Sequence, residues 1–361
     1  MRQIILLFVL SRLNTTFAYL PAVATPPANQ DVWIAEILSV VYIFILCAPL
    51  LYLSNRFENM NLLEYTEKIM GKLPGKFLGL VISAELMTVS LLQLPLLDNL
   101  LRAAIMPETP DAAILLFMLP TCVYALYKGP ESLGRLAEIF APLLFITIIL
   151  FTLLNINKMD LEVLLPVLAD STFHDINLGA FSASNRYFEI IALAMLAPYI
   201  NKKGKINQIF ICYVVICIAF ILLITLSTQM VLGTGLAAKI SFPYYVYVQT
   251  IKTYDIIERI ESIDAFNWIF GTMLKYSLFL YLASAGMAQV FGVKSYKTFV
   301  IPIALLQFIL VLMTPLNKYH VMSFIFSYKF VHFIYLPGVF IIPLLVLVVY
   351  FFRRKSLARY R

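Results

Sequence analysis

Along this chain apolar residues do not alternate with polar ones. They come in continuous runs, most long enough to cross a bilayer as a helix of about 20 residues, separated by short stretches of Lys, Arg, Gly and Pro. Ten such runs predict ten helices, at roughly 3–24, 32–54, 77–104, 112–127, 136–154, 180–200, 207–232, 266–291, 298–315 and 332–352. A continuous run favours a helix over a barrel strand, because a lone helix satisfies its own backbone N–H and C=O groups where there is no water. Turn chemistry separates the runs at Pro26-Pro27, Pro107-Glu108-Thr109-Pro110, Lys128-Gly129-Pro130 and Lys203-Gly204-Lys205. The stretch 319–335 is also apolar. It is expected to form a short interfacial or re-entrant helix, because an eleventh crossing would carry Arg353-Arg354-Lys355 to the wrong side.

Composition agrees with the pattern. Of the 361 residues 61% are apolar and 13% charged, where a soluble domain carries about 25% charged residues. This excludes both a soluble fold and a disordered chain, so an all-α integral membrane protein is expected, one transmembrane domain over 1–361. The net charge of +7 matters through where the charges sit, and no nucleic-acid partner is inferred from it. The cysteines, Cys47, Cys122, Cys212 and Cys217, fall inside apolar runs and read as packing residues. Residues 2–24 have the outline of a signal peptide, with Arg2 at the start and Ala22-Val23-Ala24 at the end, but Arg12 and Asn14 interrupt its apolar part, so a retained first span is expected.

Basic residues fix the predicted orientation. With the N-terminus in the cytoplasm, inner segments hold Arg56, Lys68, Lys72, Lys76, Lys202, Lys203, Lys205, Lys294, Lys297 and the basic C-terminal tail, while outer loops hold only Lys158, Lys239, Lys252, Arg259, Lys318 and Lys329. Both termini are then cytoplasmic and the span count is even. Ten spans divide into five and five, with repeats at 1–154 and 180–352. Five is odd, so the second set is inverted, an arrangement in which the first helix of each set is broken near the midplane and holds the ligand.

Two segments suit such breaks. Asn14-Thr15-Thr16-Phe17 lies mid-span in the first, ahead of Pro21, and Gly179-Ala180-Phe181-Ser182-Ala183-Ser184-Asn185-Arg186 lies in the sixth. Thr15, Thr16, Phe17, Ser182, Ala183, Ser184 and Asn185 are the candidate ligand-binding residues, joined by Tyr281 and Ser284 on the eighth segment. The competing account is close helix packing, with hydroxyls bonded one turn back. Glu85, Glu189 and Lys275 are candidate intramembrane charges, because deep ionisable groups are costly and tend to mark ion or substrate pathways. Asp98 with Arg102 and Arg186 with Glu189 are spaced to pair along one helix face. Lys275 has no acidic neighbour on its own helix. Its ammonium either stands where related folds hold a sodium ion, between segments 1 and 8, or pairs with Glu85 or Glu36.

Enzymatic signatures are missing. Gly71-Lys72-Leu73-Pro74-Gly75-Lys76-Phe77 is one residue short of a phosphate loop and lacks the following Ser or Thr. His174, His320 and His332 are scattered. No catalytic residue, metal or cofactor is expected.

Several motifs occur in a telling order: Gln30-Asp31-Val32-Trp33, Leu63-Glu64-Tyr65, Met70-Gly71-Lys72-Leu73-Pro74-Gly75-Lys76, Pro107-Glu108-Thr109-Pro110, Gly129-Pro130-Glu131-Ser132-Leu133-Gly134-Arg135-Leu136-Ala137-Glu138, Leu164-Leu165-Pro166-Val167-Leu168 and Ile257-Glu258-Arg259-Ile260-Glu261-Ser262-Ile263-Asp264. This order resembles the permease-like B subunit of spore germinant receptors, in the amino acid–polyamine–organocation superfamily, over nearly the whole chain. The resemblance implies a five-plus-five inverted repeat and the sensing of a nutrient germinant such as an amino acid, sugar or nucleoside. It also implies a complex with an A subunit and a lipoprotein C subunit in the inner membrane of a bacterial spore. The family often carries glycine in the broken part of the first helix, where this chain has Asn14-Thr15-Thr16-Phe17. A nutrient receptor is thus the first expectation, a proton-coupled or uncoupled transporter the second, and a scaffold with a vestigial cavity the third.

Overall fold

A computed structural model describes residues 1–18, 29–200, 204–251, 260–325, 327 and 329–357. Pro21, Ala22-Val23-Ala24, Pro26-Pro27, Lys202-Lys203 and Ile257-Glu258-Arg259 lie outside the described residues. The described chain is a helical bundle: α1 (Arg2–Ala18), α2 (Val32–Arg56), α3 (Leu62–Met70), α4 (Lys72–Ala104), α5 (Asp111–Tyr127), α6 (Glu131–Leu154), α7 (Phe173–Asn185), α8 (Glu189–Leu196), α9 (Ile206–Leu232), α10 (Pro243–Gln249), α11 (Glu261–Phe291), α12 (Lys297–Met313), α13 (Tyr319–Ile325), α14 (Val331–Leu336) and α15 (Ile342–Leu357), with short one-turn pieces between some of them.

Among the described residues each of the ten predicted runs overlaps helix, the sixth with an interruption. Five stretches, Val32–Arg56, Lys72–Ala103, Glu131–Leu154, Ile206–Leu232 and His332–Arg354, are long and apolar enough to cross a membrane, and Asp111–Tyr127 and Lys297–Met313 are shorter apolar helices. Among the described residues, length and hydropathy therefore mark five of the ten expected spans as long enough to cross. Side chains on the outside of the bundle are apolar, among them Ile45, Phe117, Ile139, Ile146 and Leu305. A belt of this kind is stable only against lipid, so the bundle is largely membrane-embedded.

The expected break in the first helix is absent from the residues that suggested it. α1 runs without interruption through Asn14-Thr15-Thr16-Phe17 to Ala18. Its polar groups find partners that leave the backbone helical: the Asn14 amide donates across the interface to Thr272 Oγ1 at 3.0 Å, and the Thr16 hydroxyl donates one turn back to the Arg12 carbonyl at 3.4 Å. The sixth segment is broken, at Arg186-Tyr187-Phe188, between α7 and α8. That point lies at the end of the stretch of small residues. Ser184 Oγ and Asn185 Nδ2 both donate to the Phe181 carbonyl, at 2.6 and 2.7 Å, and so compete with the backbone ladder in the last turn of α7, just before the break.

In the stretch 319–335, only Tyr319–Ile325 forms a separate short helix. Val331–Leu336 instead runs through a π-helical turn, Pro337–Ile341, into α15. The axis of the bundle is the packed pair α4 and α11. Close approach there depends on small residues: a Cβ at Gly286 would overlap the Ser83 hydroxyl, and one at Gly79 would lie 3.1 Å from Val290 Cγ2.

Local chemistry fixes the ends of two elements that the sequence motifs mark. Asn61 and Glu64 form a capping box at the start of α3, and Thr172 and Asp175 form one at the start of α7. Gln30-Asp31 is a clasp. Asp31, fully buried, accepts from the Leu168 N–H at 3.0 Å and the Ser171 hydroxyl at 2.6 Å, and Gln30 donates to Asp170 at 3.0 Å. Gln229, near the end of α9, donates to the Asn29 carbonyl at 3.0 Å. The clasp thereby ties the start of α2 to the loop that leads into α7.

Candidate functional site

At the centre of the bundle α1, α8, α9 and α11 converge on one ion pair. Lys275 on α11 and Glu189, the first residue of α8, are 2.8 Å apart and buried to 6% and 0% side-chain exposure. Each proton of the ammonium has an acceptor: Glu189 Oε1, Thr15 Oγ1 at 2.7 Å and the Ser11 carbonyl at 3.2 Å. Glu189 accepts in turn from Ser11 Oγ at 2.9 Å and Tyr213 OH at 2.9 Å. A buried pair in lipid survives only if its remaining hydrogen-bonding positions are filled, and here they are.

A second interlock fastens α1 to α11 one turn away. Asn14 donates to Thr272 Oγ1, Thr272 donates to the Trp268 carbonyl at 2.8 Å, and the Trp268 indole N–H donates to the Asn14 carbonyl at 3.2 Å. Gly271 permits this contact, because a Cβ there would sit 2.7 Å from Asn14 Oδ1.

Of the candidate residues, the structure brings Thr15, Glu189 and Lys275 together in the ion-pair network. The ammonium lies between the first and eighth segments. Its carboxylate partner is Glu189, not Glu85 or Glu36, and the Arg186–Glu189 pairing along one face is missing because the break separates them. Glu85 accepts from the Gly338 N–H of the π-helical turn at 3.1 Å. Thr16 accepts from Arg12 Nη1 at 2.8 Å, and Phe17 stacks on Tyr244 with ring centroids 4.9 Å apart. Ser182, Ala183 and Ser184 are buried near the end of α7, and the Asn185 amide contacts His332 Nδ1 at 3.0 Å. Tyr281 lies elsewhere, lining a cavity of about 790 Å³ with Gln3, Leu7, Lys128, Tyr199 and Leu278. The hydroxyls of Ser182 and Ser284 have no hydrogen-bond partner among the described residues. Asp98 and Arg102 do pair, at 4.0 Å, and Arg102 also reaches Asp111.

Sequence reasoning missed Ser11, Tyr213, Trp268, Thr272 and Gly271. Ser11 and Thr15, four residues apart, share the face of α1 that meets Lys275, a spacing visible in the sequence. Tyr213 carried no local signal. Among the described residues no group of three or more His, Cys, Asp or Glu side chains is placed to hold a metal ion, and the cysteines are free thiols. The arrangement ties α1, α8, α9 and α11 together through one buried charge pair.

The family described as spore germination protein (Spore_permease) matches residues 1–321. Spore germination protein KB of Bacillus subtilis (strain 168) is 22% identical over 316 residues, covering 84% of this chain and 82% of that protein. Spore germination protein A2 of the same organism is 24% identical over 290 residues, 78% of each. Spore germination protein YndE, again of that organism, is 23% identical over 278 residues, 74% of this chain and 73% of its own. Among solved structures, a Na⁺-coupled sialic acid symporter in a substrate-bound outward-open state aligns with a TM-score of 0.63 at 13% identity, over 90% of this chain and 75% of that one. The two share a fold.

Proposed function

Because the chain belongs to the Spore_permease family of spore germination proteins, we propose that it is the permease-like B subunit of a spore germinant receptor. It binds a small nutrient, an amino acid, sugar or nucleoside, near the bilayer midplane and passes the event to its partners, an A subunit and a lipoprotein C subunit. The reading includes ten membrane spans as a five-plus-five inverted repeat over 1–154 and 180–352, both termini in the cytoplasm, and residence in the spore inner membrane. It assigns the ligand to the space among α1, the α7–α8 break and α11, with Thr15, Thr16, Phe17, Ser182, Ala183, Ser184 and Asn185 around it and Tyr281 and Ser284 on the path toward the cytoplasm.

The observation that carries the reading is the Lys275 ammonium, held by the Ser11 carbonyl, the Thr15 hydroxyl and the Glu189 carboxylate. Oxygen donors of these kinds also suit an alkali cation, and half-helices and exposed carbonyls hold coupling ions in transporters built from inverted repeats. A covalently attached cation in that position cannot leave. Such a chain keeps the transporter's two packings without an ion gradient to drive it, which suits a sensor. Ligand shifts the balance between packings only through its differential affinity for them.

The symporter fold favours a second reading, in which the chain carries a solute across the membrane with Glu85, Glu189 or Lys275 as proton carriers. Two experiments test the readings. Exchanging this chain into a receptor of different specificity should transfer the nutrient response with it; an unchanged response would refute the sensor. The purified chain reconstituted in vesicles should show no concentrative uptake of labelled nutrient, and saturable concentrative uptake would establish the carrier instead.

A further inference from the structure

Arg12 lies on α1 three residues before Thr15, with 1% of its surface exposed. Its Nη1 donates to Thr16 Oγ1 at 2.8 Å, and the guanidinium carbon lies 4.7 Å from the centre of the Tyr187 ring, within the α7–α8 break. Nε and Nη2 have no hydrogen-bond partner among the described residues, and none of the ion pairs found among those residues includes Arg12. The Tyr187 hydroxyl beside it is likewise buried without a partner among the described residues.

These two nitrogens form one edge of the guanidinium, with their N–H bonds nearly parallel, at the spacing of the two oxygens of a carboxylate. Lys275 has all three protons committed. Arg12 instead presents a matched pair of donors, held in place by Thr16 on one edge and Tyr187 on one face. Rigidity of this kind lowers the entropy cost of binding. A guanidinium left with a bare edge in the membrane interior is costly, and an arriving anion relieves that cost.

We propose that the Nε–Nη2 edge of Arg12 is the seat of a ligand carboxylate, so that the nutrient bound at the α7–α8 break is a small organic acid or amino acid rather than a neutral sugar or nucleoside. The proposal rests on the nutrient-binding reading above and narrows it to one chemical class. Tyr187 offers its hydroxyl to the same anion. Glu36, buried on α2 with Oε2 unpartnered among the described residues, is the nearby acceptor for a ligand ammonium.

The test uses the full chain in lipid nanodiscs and calorimetric titration with the protein amino acids, their carboxamides, D-glucose, inosine and inorganic phosphate. At least one amino acid should bind, and its carboxamide should bind about 100-fold more weakly, as expected when one partner of a buried charge pair is removed. Arg12→Gln should cause a similar loss, and Arg12→Lys should recover part of it. Equal binding of acid and amide would overturn the proposal, as would undiminished binding of the acid by Arg12→Gln. If that variant does not fold, the comparison of acid with amide on the unaltered chain decides alone. Binding of glucose, inosine or phosphate without any amino acid would overturn the carboxylate seat and leave a small-molecule site standing. Binding of none of the probes would overturn both.

Discussion

Removing either partner of the Lys275–Glu189 pair should destabilise the bundle sharply, and removing both should not. At 2.8 Å and an effective dielectric near 20, the attraction is about 6 kcal/mol, much of it offset by the cost of taking both charges out of water. Lys275→Met leaves the Glu189 carboxylate with two neutral donors, Ser11 and Tyr213, and no ion-pair partner in contact. Glu189→Gln leaves the ammonium with neutral acceptors only, the Gln carbonyl, Ser11 and Thr15. Each single change should cost about 3–5 kcal/mol, the usual penalty for a buried charge stripped of its partner. The double variant carries no charge to strand, so it should lose no more than about 2 kcal/mol, giving a coupling energy of several kcal/mol. The assay is equilibrium unfolding of the four proteins in one lipid–detergent mixture, monitored by near-UV circular dichroism. A double variant whose loss equals the sum of the singles would mean that the two residues do not interact, and the account of the centre of the bundle would fall with it.

Two smaller perturbations probe the neighbouring contacts. Gly271→Ala places a methyl group 2.7 Å from Asn14 Oδ1 and should cost about 1–3 kcal/mol by overpacking. An unshifted thermal midpoint would show that α1 and α11 are less tightly fastened than drawn. Asp31→Ala leaves the Leu168 N–H and the Ser171 hydroxyl without their acceptor and should cost about 1–3 kcal/mol, with faster hydrogen exchange confined to 165–172. Exchange that is unchanged there would remove the clasp from the account.

Hydropathy made the helices legible. Whether a segment enters lipid is decided by local transfer energy, so each of the ten runs overlaps helix among the described residues. Where a helix breaks could not be read as easily. Asn14 looks like a helix breaker until Thr272, 258 residues away, takes its amide. Arg186-Tyr187-Phe188 contains no glycine or proline, so nothing local announces that the chain turns there. The same break explains the misjudged ion pair. Arg186 and Glu189 are spaced for one face of a continuous helix, but three residues of non-helical chain separate α7 from α8, and Glu189 turns to a lysine 86 residues on. Ser11 and Thr15 were readable as a polar stripe on α1. Their partner was not, because which helices meet is set by the packing of the whole bundle.

The break has a mechanical consequence. α7 is fastened mainly to α2 and to the clasped loop, whereas α8 packs against α2, α1 and α11 and is pinned to the last two through Glu189. Only Arg186, Tyr187 and Phe188 join the two half-helices, so they form a knuckle between limbs that share α2 but differ in their other anchors. A push on the clasped loop is transmitted rigidly as far as Asn185 and then spends itself in bending, unless something wedged against Tyr187 stiffens the knuckle. An occupant at that spot would act as a clutch plate, engaging one limb with the other only while it is present.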